Sequence, residues 1–193
     1  MKKLFAMAVA LVFAFGANAQ IAKGEMVIGA GAGLGNSVYS SSVYDNVLLP
    51  INLDFEVGVA EALFGVDGLS LGVGAALSYT QAKDDYTNLY AGLIDGEIGF
   101  KYASYIVGAK GYFHYDFGVE NLDTYAAITL GYNIASAKSY GDWGSYEIEP
   151  ASASALYYGV SVGARYWFTE ALGVNLEAGY GLSFLKAGIN FRF

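Results

Sequence analysis

The sequence contains no cysteine, one histidine and two prolines among its 193 residues. Without cysteine the chain forms neither disulfides nor thiolate metal sites, which excludes a disulfide-stapled mini-protein. Only 15% of the residues are charged, and the net charge of −8 argues against a nucleic-acid-binding protein, whose surface would be basic. Long apolar runs are missing beyond the first twenty residues, although 55% of the residues are hydrophobic. The hydrophobic residues must therefore follow a pattern other than that of membrane-spanning helices.

The first nineteen residues have the pattern of an export signal. Two lysines form a positive start, Leu4–Gly16 is an apolar core, and Ala17-Asn18-Ala19 is a small-residue cleavage site. The alternative is a membrane anchor, which the short apolar run disfavours because a bilayer's hydrocarbon core is about 30 Å thick. We expect a cleavable signal peptide over residues 1–19, a single domain over residues 20–193, and export from a bacterial cytoplasm.

Apolar residues recur at every second position in eight later segments, which is the periodicity of β-strands. Most segments span about ten residues, the length of a tilted membrane-spanning strand. Short connections alternate with longer polar ones along the chain; the short ones cover residues 61–68, 117–123 and 169–171, and the longer ones residues 36–48, 83–99 and 139–152. This pattern predicts an all-β protein, an eight-stranded antiparallel up-and-down transmembrane β-barrel.

The polar face of the strands distinguishes a membrane barrel from a soluble barrel or sandwich with an apolar interior. That face carries glycine, serine, asparagine and threonine rather than the charged residues that bulk water favours, and small residues suit the crowded interior of eight strands. Buried charges persist when they are paired. We therefore predict a lumenal salt-bridge network, with unrelated surface charges as the alternative; its members are Asp54, Glu56, Lys110, Arg165, Glu177, Lys186 and Arg192.

Aromatic residues cluster toward the two ends of the predicted strands. Two belts of amphipathic rings are expected where a barrel meets the two membrane interfaces. The belt near the short turns would comprise Phe113, Tyr115, Tyr166, Trp167, Phe168, Phe191 and Phe193. The belt near the longer loops would comprise Tyr79, Tyr105, Tyr132, Tyr157, Tyr158, Tyr180 and Phe184. A β-sandwich core would explain the number of rings but not this sorting.

The export signal and three short segments resemble the bacterial outer-membrane protein β-barrel domain family, the small OmpX/OmpA-like eight-stranded barrels. The segments are Val107–Tyr115, Ala127–Asn133 and Leu185–Phe193, the last of which ends in an aromatic residue. The resemblance spans nearly all of residues 20–193, but its motifs are short. It implies an outer-membrane location and a last strand read by the barrel-assembly machinery during biogenesis, with roles for Ile189, Phe191 and Phe193.

The sequence offers no arrangement typical of catalysis or metal binding. His114 is predicted to face inward without a neighbouring serine nucleophile, so a packing or hydrogen-bonding role is favoured over an acyltransferase or protease. The loop acids Asp84, Asp85, Asp95 and Glu97 lack the spacing of a calcium loop. The glycines of residues 29–35 precede no helix, which disfavours a phosphate-binding loop. We expect no enzymatic activity, no cofactor and no metal.

Function must then follow from architecture. The first hypothesis is a plugged monomeric barrel in outer-membrane lipid, with a structural or adhesion-like role through acidic, tyrosine-rich loops that contact host or matrix molecules. The alternative is a narrow porin-like pore for small solutes or ions. Because side chains fill the interior of eight strands, we rank conduction second.

Overall fold

The computed structural model describes residues 20–39, 42–87, 97–141 and 153–193. The strands are β1 (Met26–Leu34), β2 (Asn46–Val47), β3 (Ile51–Ala60), β4 (Leu69–Asp85), β5 (Gly99–Tyr115), β6 (Leu122–Tyr140), β7 (Ala155–Trp167), β8 (Leu172–Tyr180) and β9 (Leu185–Arg192). A 3₁₀ turn, Leu63–Gly65, lies between β3 and β4. Within these ranges no helix is long and apolar enough to cross a membrane.

Eight strands close into an antiparallel barrel. From β3 to β9 each strand pairs with the next, and β1 pairs with both β3 and β9, from Val27 opposite Arg192 to Leu34 opposite Leu185. The two-residue β2 is an addition that pairs with the end of β4. The prediction of an all-β, eight-stranded antiparallel barrel is confirmed. Closure removes the exposed edges at which an open sheet could pair with another chain.

Three strands are longer than predicted. β4, β5 and β6 contain 17, 17 and 19 residues, and their pairing continues to Asp85 opposite Gly99 and Gly99 opposite Tyr140. The loops predicted over residues 83–99 and 139–152 therefore begin later than expected, because the backbone ladder persists where the apolar alternation has stopped. The predicted turn over residues 117–123 is also too long, since Asp123 belongs to β6 and is fully buried.

The two faces of the barrel differ in the opposite sense from a soluble protein. Outward side chains are apolar and exposed, as in Leu130 and Val162, both 63% exposed. Inward side chains are polar or charged and buried, as in Glu56 at 1% and His114 at 0%. The alternation of the sequence thus places hydrophobic groups outside and charges inside.

Two aromatic residues depart from the predicted belts. Trp167 is 2% exposed and packs inside the barrel with Ile21 and Val27. The hydroxyl of Tyr157 accepts a hydrogen bond of 2.9 Å from the backbone N–H of Leu182. Both residues occupy inward positions of β7, where strand periodicity decides the direction of a side chain regardless of its type.

Candidate functional site

Four buried acidic and basic side chains lie together in the lumen near the short turns. They are Glu56, His114, Asp123 and Arg165, which we call the turn-side cluster. His114 Nδ1 lies 2.8 Å from Asp123 Oδ1, and His114 Nε2 lies 2.6 Å from Glu56 Oε1. The Arg165 guanidinium lies 2.6 Å from Glu56 Oε2 and 3.5 Å from Asp123 Oδ2. Two carboxylates thus face two basic groups, which is the pairing that makes buried charge tolerable.

A second group of four charges lies further along the lumen. This mid-lumen cluster comprises Asp54, Lys110, Glu177 and Lys186. The Lys110 ammonium lies 3.1 Å from Asp54 and 2.9 Å from Glu177, and the Lys186 ammonium lies 2.5 Å from Glu177. The Ser161 hydroxyl donates a further hydrogen bond of 2.7 Å to Glu177. Glu177 is therefore the shared acceptor of this cluster.

Two tyrosines separate the clusters. Tyr112 stands between Lys110 and His114 on the inward face of β5, and its ring centroid lies 5.6 Å from that of Tyr125. Tyr125 donates a hydrogen bond of 3.1 Å to Glu177, and the Arg165 guanidinium lies 4.7 Å from its ring centroid. Tyr112 is fully buried. This tyrosine layer lets cations of both clusters contact aromatic faces, an attractive arrangement where water is excluded.

Arg192 lies apart from both clusters. Its guanidinium carbon is 4.5 Å from the ring centroid of Trp167, and its Nε lies 3.6 Å from a Glu25 carboxylate oxygen and donates to the Glu170 carbonyl at 2.8 Å. These contacts join Arg192 to Glu25, Glu170 and Trp167, and its membership of the predicted lumenal network stays a prediction. Its position at the end of β9 places it at the turn-side mouth, where Trp167 and Ile21 are buried.

The opposite mouth is crossed by the segment Asn36–Tyr39. Asn36 Nδ2 donates to the Thr80 hydroxyl at 2.6 Å, and the Tyr39 hydroxyl lies 3.0 Å from that of Ser104. Ser37 N–H donates to the Leu182 carbonyl at 3.0 Å. The segment is thus fixed to β4, β5 and the β8–β9 connection at once.

Between this segment and the mid-lumen cluster lies a cavity of about 30 Å³. Its lining includes Asp54, Ser161, Glu177 and Lys186. A space of this size and polarity holds about two water molecules. The mid-lumen cluster is therefore the part of the ionic interior that water can reach.

Six of the seven predicted lumenal charges thus lie in two clusters instead of one network. Sequence reasoning missed Asp123 and placed His114 in the lumen without its ionic partners. The signal for Asp123 was present, because Asp123, Tyr125, Ala127 and Thr129 continue the inward periodicity of β6 toward the turn.

The acids at the long-loop end have hydrogen-bonding partners of their own. Asp85 accepts from the Thr87 N–H at 2.8 Å, and Asp45 accepts from the Asp85 N–H at 2.7 Å. Tyr86 donates to Asp84 at 2.6 Å, and this hydrogen bond to a carboxylate raises the pKa of Tyr86 to about 12. Asp95 lies outside the described residues. Among the residues that the structure describes, no group of three or more histidine or acidic side chains is placed to hold a metal ion.

The residues expected to act in assembly form a stripe on the strand that closes the barrel. Ile189, Phe191 and Phe193 are 60%, 52% and 55% exposed and face outward. The backbones of Phe193 and Met26 exchange two hydrogen bonds of 3.0 Å.

Fold and lumen together define a small closed eight-stranded barrel with an apolar exterior and an ion-paired interior. No family model and no curated protein matches the chain. Solved structures with similar folds include three that we describe in turn. Ail, the attachment invasion locus protein of Yersinia pestis, in complex with the heparin analogue sucrose octasulfate, is 18% identical with a TM-score of 0.49, covering 89% of this chain and 100% of that one.

Two further structures are slightly more distant in sequence. The N-terminal β-barrel domain of Pseudomonas aeruginosa OprF is 15% identical with a TM-score of 0.44, covering 89% of this chain and 98% of that one. Neisserial surface protein A is 16% identical with a TM-score of 0.39, covering 87% and 94%. At these identities the likeness concerns the fold alone, and the barrel described above rests on this chain's own strand register.

Proposed function

We propose that this protein is an integral barrel of a bacterial outer membrane, with a structural or surface-interaction role and no enzymatic activity. The observation that carries the proposal is the inversion of the two faces. Side chains such as Leu130, Val162 and Ile189 are 60% or more exposed on the outer wall, whereas the turn-side cluster inside is buried. Contiguous apolar surface of this extent is unfavourable in water and favourable in lipid.

The rings on the outer wall support the same placement. The rings of Tyr79 and Tyr105 contact each other at a tilt, with centroids 4.9 Å apart, near the long-loop end, and those of Phe191 and Phe193 lie 6.0 Å apart at the other end. Aromatic side chains favour the boundary between hydrocarbon and water. Export by residues 1–19, and recognition of Ile189, Phe191 and Phe193 by the assembly machinery, belong to this proposal.

A plugged lumen is the second part of the proposal. Three barriers support it in series: the segment Asn36–Tyr39 at one mouth, the two ionic clusters with their tyrosine layer, and Trp167 under Arg192 at the other mouth. The cavity between them is about 30 Å³, far below the continuous water column that conduction requires. A narrow pore is thus the less favoured function.

The long-loop end is the surface through which we expect the protein to act. Tyr44 lies between Tyr39 and Tyr102, with ring centroids 5.3 Å from each, so the first loop packs against the extension of β5. Asp45, Asp85 and Glu97 line an open recess beside it. Rings held in place among acids offer contact area at a low entropic cost, as binding surfaces do.

Two measurements test membrane insertion and the plug. Unboiled protein should migrate faster than boiled protein in SDS, and the absence of any shift would contradict a closed barrel. Planar bilayers should show no steady conductance for the wild type; steady channels that vanish when an inward glycine is replaced by a larger residue would support the pore instead.

A third experiment tests the surface role. Replacing residues 88–96 and 142–152 by short turns should abolish binding to host-cell or matrix surfaces while the SDS migration shift is retained.

A further inference from the structure

The cations of this acidic chain are distributed unevenly. Of the ten lysines and arginines, two lie in residues 1–19, and the lumen holds four: Lys110, Arg165, Lys186 and Arg192. Lys23 is exposed beside the short turns. The remaining three, Lys83, Lys101 and Lys138, are all exposed and lie near the long-loop end. The basic charge of the outer wall at that end therefore resides entirely in these three residues.

Strand register brings the three lysines into one line. Lys83 on β4 is directly opposite Lys101 on β5, which is directly opposite Lys138 on β6. All three occupy outward positions, and we call them the lysine row. Like charges directly opposite each other on neighbouring strands are destabilising unless a counter-charge is present. The row therefore calls for an anionic partner.

The described part of the chain does not supply that partner by ion pairing. Its ion pairs lie in the lumen or at the turn-side mouth. The acids that share the recess with Lys83 and Lys101 supply counter-charge from one side only: Lys83 attracts Asp85 electrostatically, and Asp45 and Glu97 line the same recess. These acids also lie beyond the row, on the side away from the apolar band.

The level of the row along the barrel identifies the partner. Lys83 follows Tyr79 by four residues on β4, about 13 Å along a strand and less in height because strands tilt. Tyr79 and Tyr105 mark the membrane boundary, and a lysine stem reaches several ångströms back toward it. The outward positions between the lysine row and these two tyrosines hold Gln81, Ala103 and Ser136, which carry no charge.

We propose that the lysine row binds the phosphorylated headgroup of a lipid in the outer leaflet. Phosphate oxygens at this level would lie among three ammonium groups, over a floor that includes a small alanine and a serine. The inference rests on the proposed membrane location, because a barrel in water would present the row to solvent alone. Lipid phosphate, rather than a soluble anion, is favoured by the outward direction of the side chains beside the apolar band.

The test uses full-length mature protein and diphosphorylated lipid A as the probe, with binding followed by native mass spectrometry from neutral detergent. The triple variant K83Q/K101Q/K138Q should bind about a hundredfold more weakly, since each lysine near an anionic membrane surface contributes about fivefold. The triple arginine variant should bind like the wild type, and Lys23→Gln, at the opposite end, is the matched control. Lys101→Gln alone should show about a fivefold loss.

Unfolding in urea provides a second measurement, in which the effect of Lys101→Gln should have opposite signs in two kinds of vesicle. In phosphatidylcholine vesicles the substitution should raise the urea midpoint slightly, because it relieves repulsion within the lysine row. In vesicles that contain lipid A it should lower the midpoint, because a contact with lipid phosphate is lost. Equal lipid A binding by wild type and triple glutamine variant would overturn the proposal. So would equal binding of dephosphorylated lipid A, or of inorganic phosphate or a soluble sulfated oligosaccharide as tightly as lipid A. Loss of the SDS migration shift in the wild type would instead overturn the membrane location.

Discussion

The two ionic clusters of the lumen contain the same charges in different surroundings. The turn-side cluster pairs two carboxylates with His114 and Arg165, and its side chains are at most 3% exposed. The mid-lumen cluster pairs two carboxylates with Lys110 and Lys186, adjoins the cavity, and leaves the Lys186 side chain 20% exposed. Removing one residue of the turn-side cluster leaves its partner charged, buried and unpaired. In the mid-lumen cluster, water from the cavity can solvate the partner that remains. Two clusters with the same number of charged groups should therefore have unequal effects on stability.

The largest effect is expected for Arg165→Ala. This change removes the only guanidinium that contacts both Glu56 and Asp123 among the described residues, and it should destabilise the barrel by about 3–5 kcal/mol because uncompensated carboxylates remain buried. Urea unfolding of protein folded into vesicles gives the value, with the exposed Lys23→Ala as control. An unchanged midpoint would mean that the turn-side cluster does not stabilise the fold.

A steric change should break the same cluster without removing a charge. A methyl group at Gly72 would overlap Glu56 Oε1 and lie 2.9 Å from its Cδ, so Gly72→Ala should displace Glu56 and cost about 1–3 kcal/mol. Gly111 on the neighbouring strand is the matched control, since a methyl group there meets no atom within 4 Å. Equal midpoints for the two variants would show that Glu56 relocates freely.

In the mid-lumen cluster we expect a smaller loss. Lys186→Met leaves Glu177 with Lys110, Ser161 and the Tyr125 hydroxyl, and the lost ion pair is partly solvated, so the cost should be about 1 kcal/mol. The same urea series measures it. A loss as large as that of Arg165→Ala would contradict the difference between the clusters.

The smallest effect is expected at the solvated end, where Tyr86 donates to Asp84. The raised pKa of Tyr86, about 12, means that the neutral phenol is favoured in the folded state. Its contribution to stability is present below the ordinary tyrosine pKa near 10 and is lost as pH rises through about 12. Difference absorbance titration of wild type and Tyr86→Phe should locate this transition, and Asp84→Asn should return it toward 10.

How far the sequence specified the lumen is visible in individual residues. Alternation alone placed Asp54, Glu56, Lys110 and Arg165 inside, because strand periodicity fixes the direction of each side chain. It could not reveal that Asp54 meets Lys110 while Glu56 meets Arg165. These partners sit on strands that are not neighbours, so their encounter depends on the stagger with which the barrel closes.

The errors have the same origin. Residue type predicts Trp167 and Tyr157 in the belts, although their positions in the alternation point inward, which is where the structure has them. For Arg192 the alternation predicts the inward face, but not the height along the lumen that puts it beside Trp167. Face can be read from periodicity, whereas height depends on register between strands.

The order of amino acids is enough to specify the eight strands of the barrel, the direction of their side chains and the exclusion of cysteine chemistry. The near absence of long apolar runs in a chain that is 55% hydrophobic is explained by distribution over alternate outward positions. The division of the lumenal charges into two clusters around Tyr112 and Tyr125, and the alignment of three exposed lysines in one row, become visible only in the folded barrel. The physical reason is that periodicity is a local property of each strand, while register and closure depend on pairing between residues far apart in the chain.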